Sequence, residues 1–311
     1  MKRSLLYLSL FLATVLPACK KQHKNIVAPV TKKYSIKFNV TGFIQQVVGS
    51  VDGNRHLNSL ETYSAPLDSP LTVLHYLVFD SHRNIVSQTK QLSTDASFGT
   101  ISDALAAGTY TIVFGAGDSN LSVSSQNAVD NQPLSQLIPI FQDSVPWGDT
   151  FFRRIKLTVS DGDVAQNVSL YRIVGKLTVD LEDIMPANAS KLTVTCNAGF
   201  FSYPMLDTLT VFGGVSGSGG DAVPYNIPAS AIGKSNFQAS QFFVVNGTAQ
   251  AAVTINCYDA TNKLIAQSVV NNVPLATNTH TVLSGLLFGA GGAINTGINQ
   301  AWDPSTINIH F

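Results

Sequence analysis

From Tyr34 onward, apolar and polar residues alternate: Tyr34, Ile36, Phe38 and Val40 are interleaved with Ser35, Lys37 and Asn39. A repeat of two is that of an extended strand with one buried face. The same rhythm predicts strands over Leu71–Phe79, Ile85–Gln91 and Thr109–Phe114, bounded by turn chemistry such as Asp80-Ser81-His82-Arg83-Asn84 and Ala106-Ala107-Gly108. It restarts after Pro146-Trp147-Gly148-Asp149, over Phe151–Val159, Leu170–Leu181, Lys191–Ala198, Leu206–Phe212, Gln241–Cys257, Leu264–Val270, Thr279–Phe288 and Thr306–Phe311. Within Gln241–Cys257, Asn246-Gly247 has the chemistry of a two-residue hairpin turn. No amphipathic helix of useful length interrupts the series, and Ser119–Gln136 reads as a short helix or a long loop. Many short strands with turns between them predict an all-β chain built as β-sandwiches. The restart near residue 150 divides it into an N-terminal domain, 34–150, and a C-terminal domain, 151–311.

The first residues follow a different pattern. Lys2 and Arg3 precede an apolar run from Leu5 to Leu16, and Leu16-Pro17-Ala18-Cys19 follows, which is the order of a secretory signal peptide. The run is shorter than the ~20 apolar residues a membrane span needs. Leu-Pro-Ala-Cys resembles the bacterial lipobox, which implies a signal peptide of residues 1–18 and an acylated, palmitate-bearing Cys19 as the mature N-terminus. Each buried methylene contributes ~0.8 kcal/mol, and stable anchoring takes about two chains. The expected partner at this end is therefore a membrane, reached through lipid. Residues 19–33, basic and broken by Pro29, read as a tether.

Composition narrows the partners. Loss of Lys2 and Arg3 with the leader leaves 17 basic against 19 acidic side chains, so no general field draws the protein to nucleic acid. Charged residues are 12% of the chain, about half the usual share; Ser, Thr, Asn and Gln fill the polar positions, as suits an extracytoplasmic β-protein. Beyond Cys19, the cysteines are Cys196 and Cys257. They are a possible disulfide in an oxidising compartment; alternatively, since both fall in the apolar phase of their strands, they are two small buried hydrophobes.

Catalytic signatures are missing: the sequence has no His-Glu-x-x-His, Gly-x-Ser-x-Gly, P-loop or Cys-x-x-Cys. His23, His56, His75, His82, His280 and His310 lack ligand-like spacing, so no metal or cofactor is expected. Asp161-Gly162-Asp163 reads as a turn rather than a calcium loop, and Asp180, Glu182 and Asp183 as a solvated strand end rather than a glycosidase pair. Arg153-Arg154 is a basic surface pair. Asp143-Ser144-Val145 and Asp207-Thr208-Leu209 fit a short O-glycosylation pattern of little specificity.

Three groups of residues resemble the fimbrillin superfamily of the Bacteroidetes, the fimbrial subunits and anchor lipoproteins of the FimA, FimB and Mfa type. Leu74-His75-Tyr76-Leu77-Val78-Phe79-Asp80 with Ile85-Val86, and then Leu105-Ala106-Ala107-Gly108-Thr109-Tyr110-Thr111-Ile112-Val113, resemble the hairpin and the Gly-Thr-Tyr strand of its N-terminal domain. Leu170-Tyr171-Arg172-Ile173-Val174-Gly175-Lys176-Leu177 with Asp183-Ile184-Met185-Pro186 is similar to the strand opening its C-terminal domain, with Gly175 where Ala is usual. Val273-Pro274-Leu275-Ala276-Thr277-Asn278 through Phe288 is similar to the family's closing segment. The resemblance implies two tandem transthyretin-like β-sandwich domains of the fimbrillin type after a lipoprotein signal peptide. It also implies a non-catalytic lipid-anchored protein of the outer membrane, expected at the cell surface with the periplasmic face as the alternative, and fimbrial subunits as partners through β-strand addition. Arg55, in Asp52-Gly53-Asn54-Arg55-His56, stands where an Arg-specific protease would cut a polymerising pilin; as an uncut loop residue it fits an anchor or accessory subunit. The rival reading is a surface glycan-binding lipoprotein, for which Trp147 and Trp302 are the candidate aromatic platforms.

Overall fold

The computed structural model describes residues 31–46, 62–65, 71–127, 133–139, 147–199, 203–206, 222–245, 247–289 and 294–299. The described residues from Lys33 onward belong to one compact unit. Among the described residues every regular element except one 3-10 turn, Ala229–Ala231, is a strand. The expected all-β architecture is therefore what the structure has.

The first lobe contains β1 (Lys33–Gln46), β2 (Thr62–Ala65), β3 (Val73–Phe79), β4 (Ile85–Leu92), β5 (Thr100–Ala106) and β6 (Gly108–Gly117). β7 (Leu121–Asn127) and β8 (Pro133–Pro139) follow as a side ribbon, and β9 (Phe151–Val159) and β10 (Val164–Arg172) return to the lobe. Strand order is β2-β1-β10-β9-β6-β3-β4, with β5 also paired to β1. β9 and β10 are hydrogen-bonded only at Tyr171↔Phe152 and Arg172↔Phe151. The sheet therefore splays at that corner and folds over itself as a sandwich. Ile36, Phe38, Val40, Ile101, Leu105, Val168 and Leu170 from one half close on Leu74, Tyr76, Val78, Ile112, Phe114 and Phe151 from the other.

The second lobe contains β11 (Gly175–Leu181), β12 (Lys191–Cys196), β13 (Tyr203–Pro204), β14 (Ala222–Asn226), β15 (Phe237–Phe243), β16 (Thr248–Tyr258), β17 (Leu264–Ala276), β18 (His280–Gly285) and β19 (Ile294–Asn299). Two four-stranded sheets, β15-β11-β18-β19 and β14-β12-β16-β17, face each other over Leu177, Val179, Leu192, Val194, Val253, Ile255 and Leu283. β13 joins β8 and β7 in a third, small sheet.

Several expectations are corrected. β9 and β10 pair into the first sheet and β11 opens the second, so sheet membership changes at Ile173–Val174. Leu170–Leu181 is accordingly two strands rather than one. In place of the helix or loop expected over Ser119–Gln136, its described residues lie largely in β7 and β8, which pair from Leu121↔Pro139 to Asn127↔Pro133. The Asn246-Gly247 turn is not a hairpin. β15 pairs with β11 and β16 with β12 and β17, so Gly247, at φ +68°, marks a crossover between facing sheets; Asn246 itself lies outside the described residues. So do 207–212 of the expected Leu206–Phe212 strand and all of Thr306–Phe311, while β19 was not anticipated.

Of the two readings of the cysteine pair, the register excludes the disulfide. β12 and β16 pair with Leu192 opposite Cys257 and Cys196 opposite Val253, which sets the cysteines four rungs apart. At ~3.3 Å per residue that is ~13 Å, against the 7 Å limit for a bridge. Both are free and buried, as small core hydrophobes.

Gly175 has a steric cause. A Cβ there would overlap the carbonyl oxygen of Ala276 and the ring of Phe243, because the first turn of the second lobe is closed by these two groups. On the opposite face of the same sheet, Thr178 Oγ1 sits 2.7 Å from Ser240 Oγ and 2.8 Å from His280 Nε2, a polar row across β15, β11 and β18. Burial, helped by the Lys176 charge, pushes the His280 pKa down to about 4.

Two outcomes are expected. Gly175→Ala should cost ~1–3 kcal/mol by overpacking, measured by denaturant unfolding. His280 is neutral in the fold, whereas the unfolded chain takes up its proton near pH 6.5. Stability should therefore fall as pH drops from about 6.5 towards about 4. His280→Gln should flatten that part of the urea-midpoint profile; an unchanged slope would reject the assignment.

Candidate functional site

β1 is the first described strand and the one that joins the two edges of the lower half-sheet. It runs parallel to β10, from Ile36↔Val164 to Ile44↔Tyr171. On its other side it runs antiparallel to β5 over Lys33–Asn39 and to β2 over Phe43–Gln46. A bulge between Val40 and Gly42 lets one strand serve both neighbours. Ile36 and Phe38 are wholly buried and Val40 nearly so. Phe38 meets Phe114 edge-on with centroids 5.3 Å apart, and Tyr76 at 6.0 Å. Burial at this scale is worth ~1.5–3 kcal/mol per side chain. Removing β1 would open a groove floored by those rings and walled by the backbone edges of β10 and β5.

Two further contacts hold the groove. Tyr76 donates its hydroxyl to Asp103 Oδ2 at 3.1 Å, and burial together with that carboxylate raises the Tyr76 pKa. Asp163, in the segment Asp161-Gly162-Asp163 read as a turn, accepts the Ser35 N–H at 2.8 Å and so fastens β10 to β1.

At the far end of β10 the lobes are locked. Arg172 Nε and Nη2 donate to Asp149 Oδ1 and Oδ2 at 2.7 and 2.9 Å, and Nη1 donates to Asn278 Oδ1 at 3.2 Å. The guanidinium also lies 4.9 Å over the Phe151 ring. Ile173 N–H donates to the Thr150 carbonyl and Asn278 N–H to the Val174 carbonyl, each at 2.9 Å. Around this clamp, Val73, Leu77 and Phe79 of β3 pack with Trp147, Ile173, Val174, Met205 and Val244. β3 is thus buried on both faces. Arg172 and Asn278 belong to two segments that carry the family resemblance, far apart in sequence; Asp149, the third member, gave no sequence signal beyond a turn.

The remaining candidates scatter. Cys19 and Arg55 lie outside the described residues, as do His23, His56, His310, Trp302, Asp143-Ser144-Val145 and Asp207-Thr208-Leu209. Trp147 is a core residue, 6% exposed, which removes it as a glycan platform. Arg153 stacks over Tyr171 at 4.7 Å, and Arg154 Nη1 reaches the Met205 carbonyl at 3.4 Å. Asp183 Oδ2 accepts the N–H groups of Leu287 and Phe288 at 2.7 and 2.5 Å, a structural cap rather than a catalytic acid. His75 Nε2 sits 3.2 Å from the Leu121 carbonyl, and burial lowers its pKa. Among the described residues no group of three His, Cys, Asp or Glu side chains could hold a metal ion.

A model of a family of unknown function (DUF6562) matches residues 82–309. No curated protein sequence matches the chain. Among solved structures, the chain is similar to the fimbrial anchor protein Mfa2 from Porphyromonas gingivalis, at 16% identity and TM-score 0.50, covering 86% of this chain and 98% of that one. It is also similar to a candidate adhesin from Bacteroides ovatus, at 12% identity and TM-score 0.51, covering 88% and 95%. At these identities the likeness is one of fold.

Truncating the clamp tests its role. Arg172→Ala leaves the partly buried Asp149 carboxylate without its guanidinium and should cost ~1–3 kcal/mol, read as a lowered unfolding midpoint. A loss below 1 kcal/mol would mean the lobes are held by the apolar junction alone.

Proposed function

We propose, because the chain belongs to the DUF6562 family of unknown function and shares its fold with a fimbrial anchor, that it is a non-catalytic cell-envelope lipoprotein, an anchor or accessory subunit of a surface fibre assembled by β-strand addition. In this reading residues 1–18 are the leader, Cys19 carries the lipid, residues 19–33 are the tether, and the two lobes serve as two domains displayed from the outer membrane. The observation that supports it best is the position of β1: a complete core strand, first in the folded unit, which can be supplied in trans without rethreading any other element. Its parallel pairing with β10 fixes the direction in which an incoming strand would run. An anchor keeps its own β1; a polymerising pilin gives it up after cleavage at Arg55.

Mass and N-terminal analysis of the protein from its native membrane separates these roles. An acylated Cys19 with Arg55 uncut is expected; an N-terminus at His56 without lipid would instead make the chain a polymerising subunit. Cys19→Ala should release the protein from the membrane after a salt wash, and continued retention would refute the lipid anchor. For strand addition itself, a chain beginning at residue 47 should bind a synthetic peptide of residues 33–46 and regain a cooperative unfolding transition. The same peptide with Phe38→Asp should not restore it.

A further inference from the structure

The zero net charge of the chain conceals a segregation. Residues 19–51 hold six lysines and no Asp or Glu, whereas from residue 52 onward eleven basic side chains face nineteen acidic ones. The positive group starts beside Cys19, with Lys20, Lys21 and Lys24, and continues into β1 with Lys33 and Lys37. Charge sorted in this way along a chain marks attraction to a polyanionic surface.

β1 gives the last two of these lysines a fixed place. Its buried phase is Ile36, Phe38 and Val40, so Lys33 and Lys37 stand on the other face, and both are exposed. Lys33 lies opposite Ala106 of β5, and Lys37 lies between Ser102 of β5 and Ala165 of β10. None of these small, uncharged neighbours covers or neutralises a lysine. The carboxylates close by are committed elsewhere. Asp103 turns to the core side, where it accepts the Tyr76 hydroxyl; Asp163 accepts the Ser35 N–H, and Asp161 accepts the Ser160 hydroxyl. Among the described residues neither the Lys33 nor the Lys37 ammonium has an ion-pair partner. β1 runs parallel to β10, which ends at Arg172. Lys33 therefore sits at the end of the first lobe opposite the Arg172 clamp, where the chain arrives from Cys19.

We propose that Lys20, Lys21, Lys24, Lys33 and Lys37 make a second, electrostatic contact with the membrane, binding the phosphate groups of anionic lipid headgroups and seating this end of the first lobe on the bilayer. Resting on the membrane location proposed above but not on the acyl chain, the contact draws its strength from number: each lysine near an anionic surface adds several-fold to the affinity. A basic segment joined to an acyl anchor holds more firmly than either alone. The acidic excess of the remaining chain is repelled by the same headgroups, which leaves the basic end as the one that docks.

The test uses the full mature chain with Cys19→Ala, so that no acyl chain contributes, sedimented with vesicles of phosphatidylcholine alone or of phosphatidylcholine and phosphatidylglycerol in equal parts. At ~0.1 M salt the anionic vesicles should bind at least tenfold more tightly than the neutral ones, and ~1 M salt, where the Debye length falls to ~3 Å, should abolish the difference. Lys20→Gln with Lys21→Gln and Lys24→Gln, and separately Lys33→Gln with Lys37→Gln, should each weaken binding at least fivefold with the unfolding midpoint unchanged. Equal binding to both vesicles, binding to neither, or undiminished binding by either variant would overturn the proposal. The acyl anchor is read separately, from the mass of the native N-terminus, so its failure would leave this result standing.

Discussion

The relative placement of the two lobes rests on the Arg172 guanidinium. It is held on one edge by both oxygens of Asp149, on another by Asn278, and on its face by Phe151. A cation this deeply buried is costly to desolvate, and its attraction to Asp149 does no more than offset that cost. What the cluster supplies is geometry. The planar fork accepts one arrangement of carboxylate and amide, so the last residue of β10, the linker before β9 and the β17–β18 turn are brought to one point. The apolar junction around Trp147 and Val244 then packs in a single register.

This constraint also explains why β3 is apolar on both faces. A strand covered by one sandwich core alone would alternate; Val73, Leu77 and Phe79 instead face the junction while Leu74, Tyr76 and Val78 face the first core. The clamp lies where the chain leaves the first lobe, and the next residues, Ile173 and Val174, are buried in that junction before β11 begins. Gly175 follows because the Ala276 carbonyl and the Phe243 ring close over it.

The half-buried strands were legible because burial imposes alternation: β1, β9, β12 and β18 lie where the pattern put them. Strands that rely on the backbone ladder were not. β7 and β8 are rich in Ser, Gln and Pro, and the start of β10 is Val-Ala-Gln-Asn with three exposed positions in a row; neither offers an apolar phase to read. The turn at Gly247 failed differently, since a left-handed residue looks the same in a hairpin and in a crossover between facing sheets. For the site, Arg172 and Asn278 were visible as separate motif residues. Their meeting is tertiary, and Asp149 had only the signature of a turn.

β3, β6 and β9 have two faces with separate contacts. They give Tyr76, Phe114 and Phe151 to the core that β1 completes, while Phe79, Thr111 and Lys156 form one rung on the opposite face. None of these three strands pairs with β1, and β3 is held from its other face by the junction. Exchange of the first strand would therefore leave that hydrogen-bonded rung intact. The first strand could thus be exchanged without disturbing the outer face, because the contacts that fix the two faces are different.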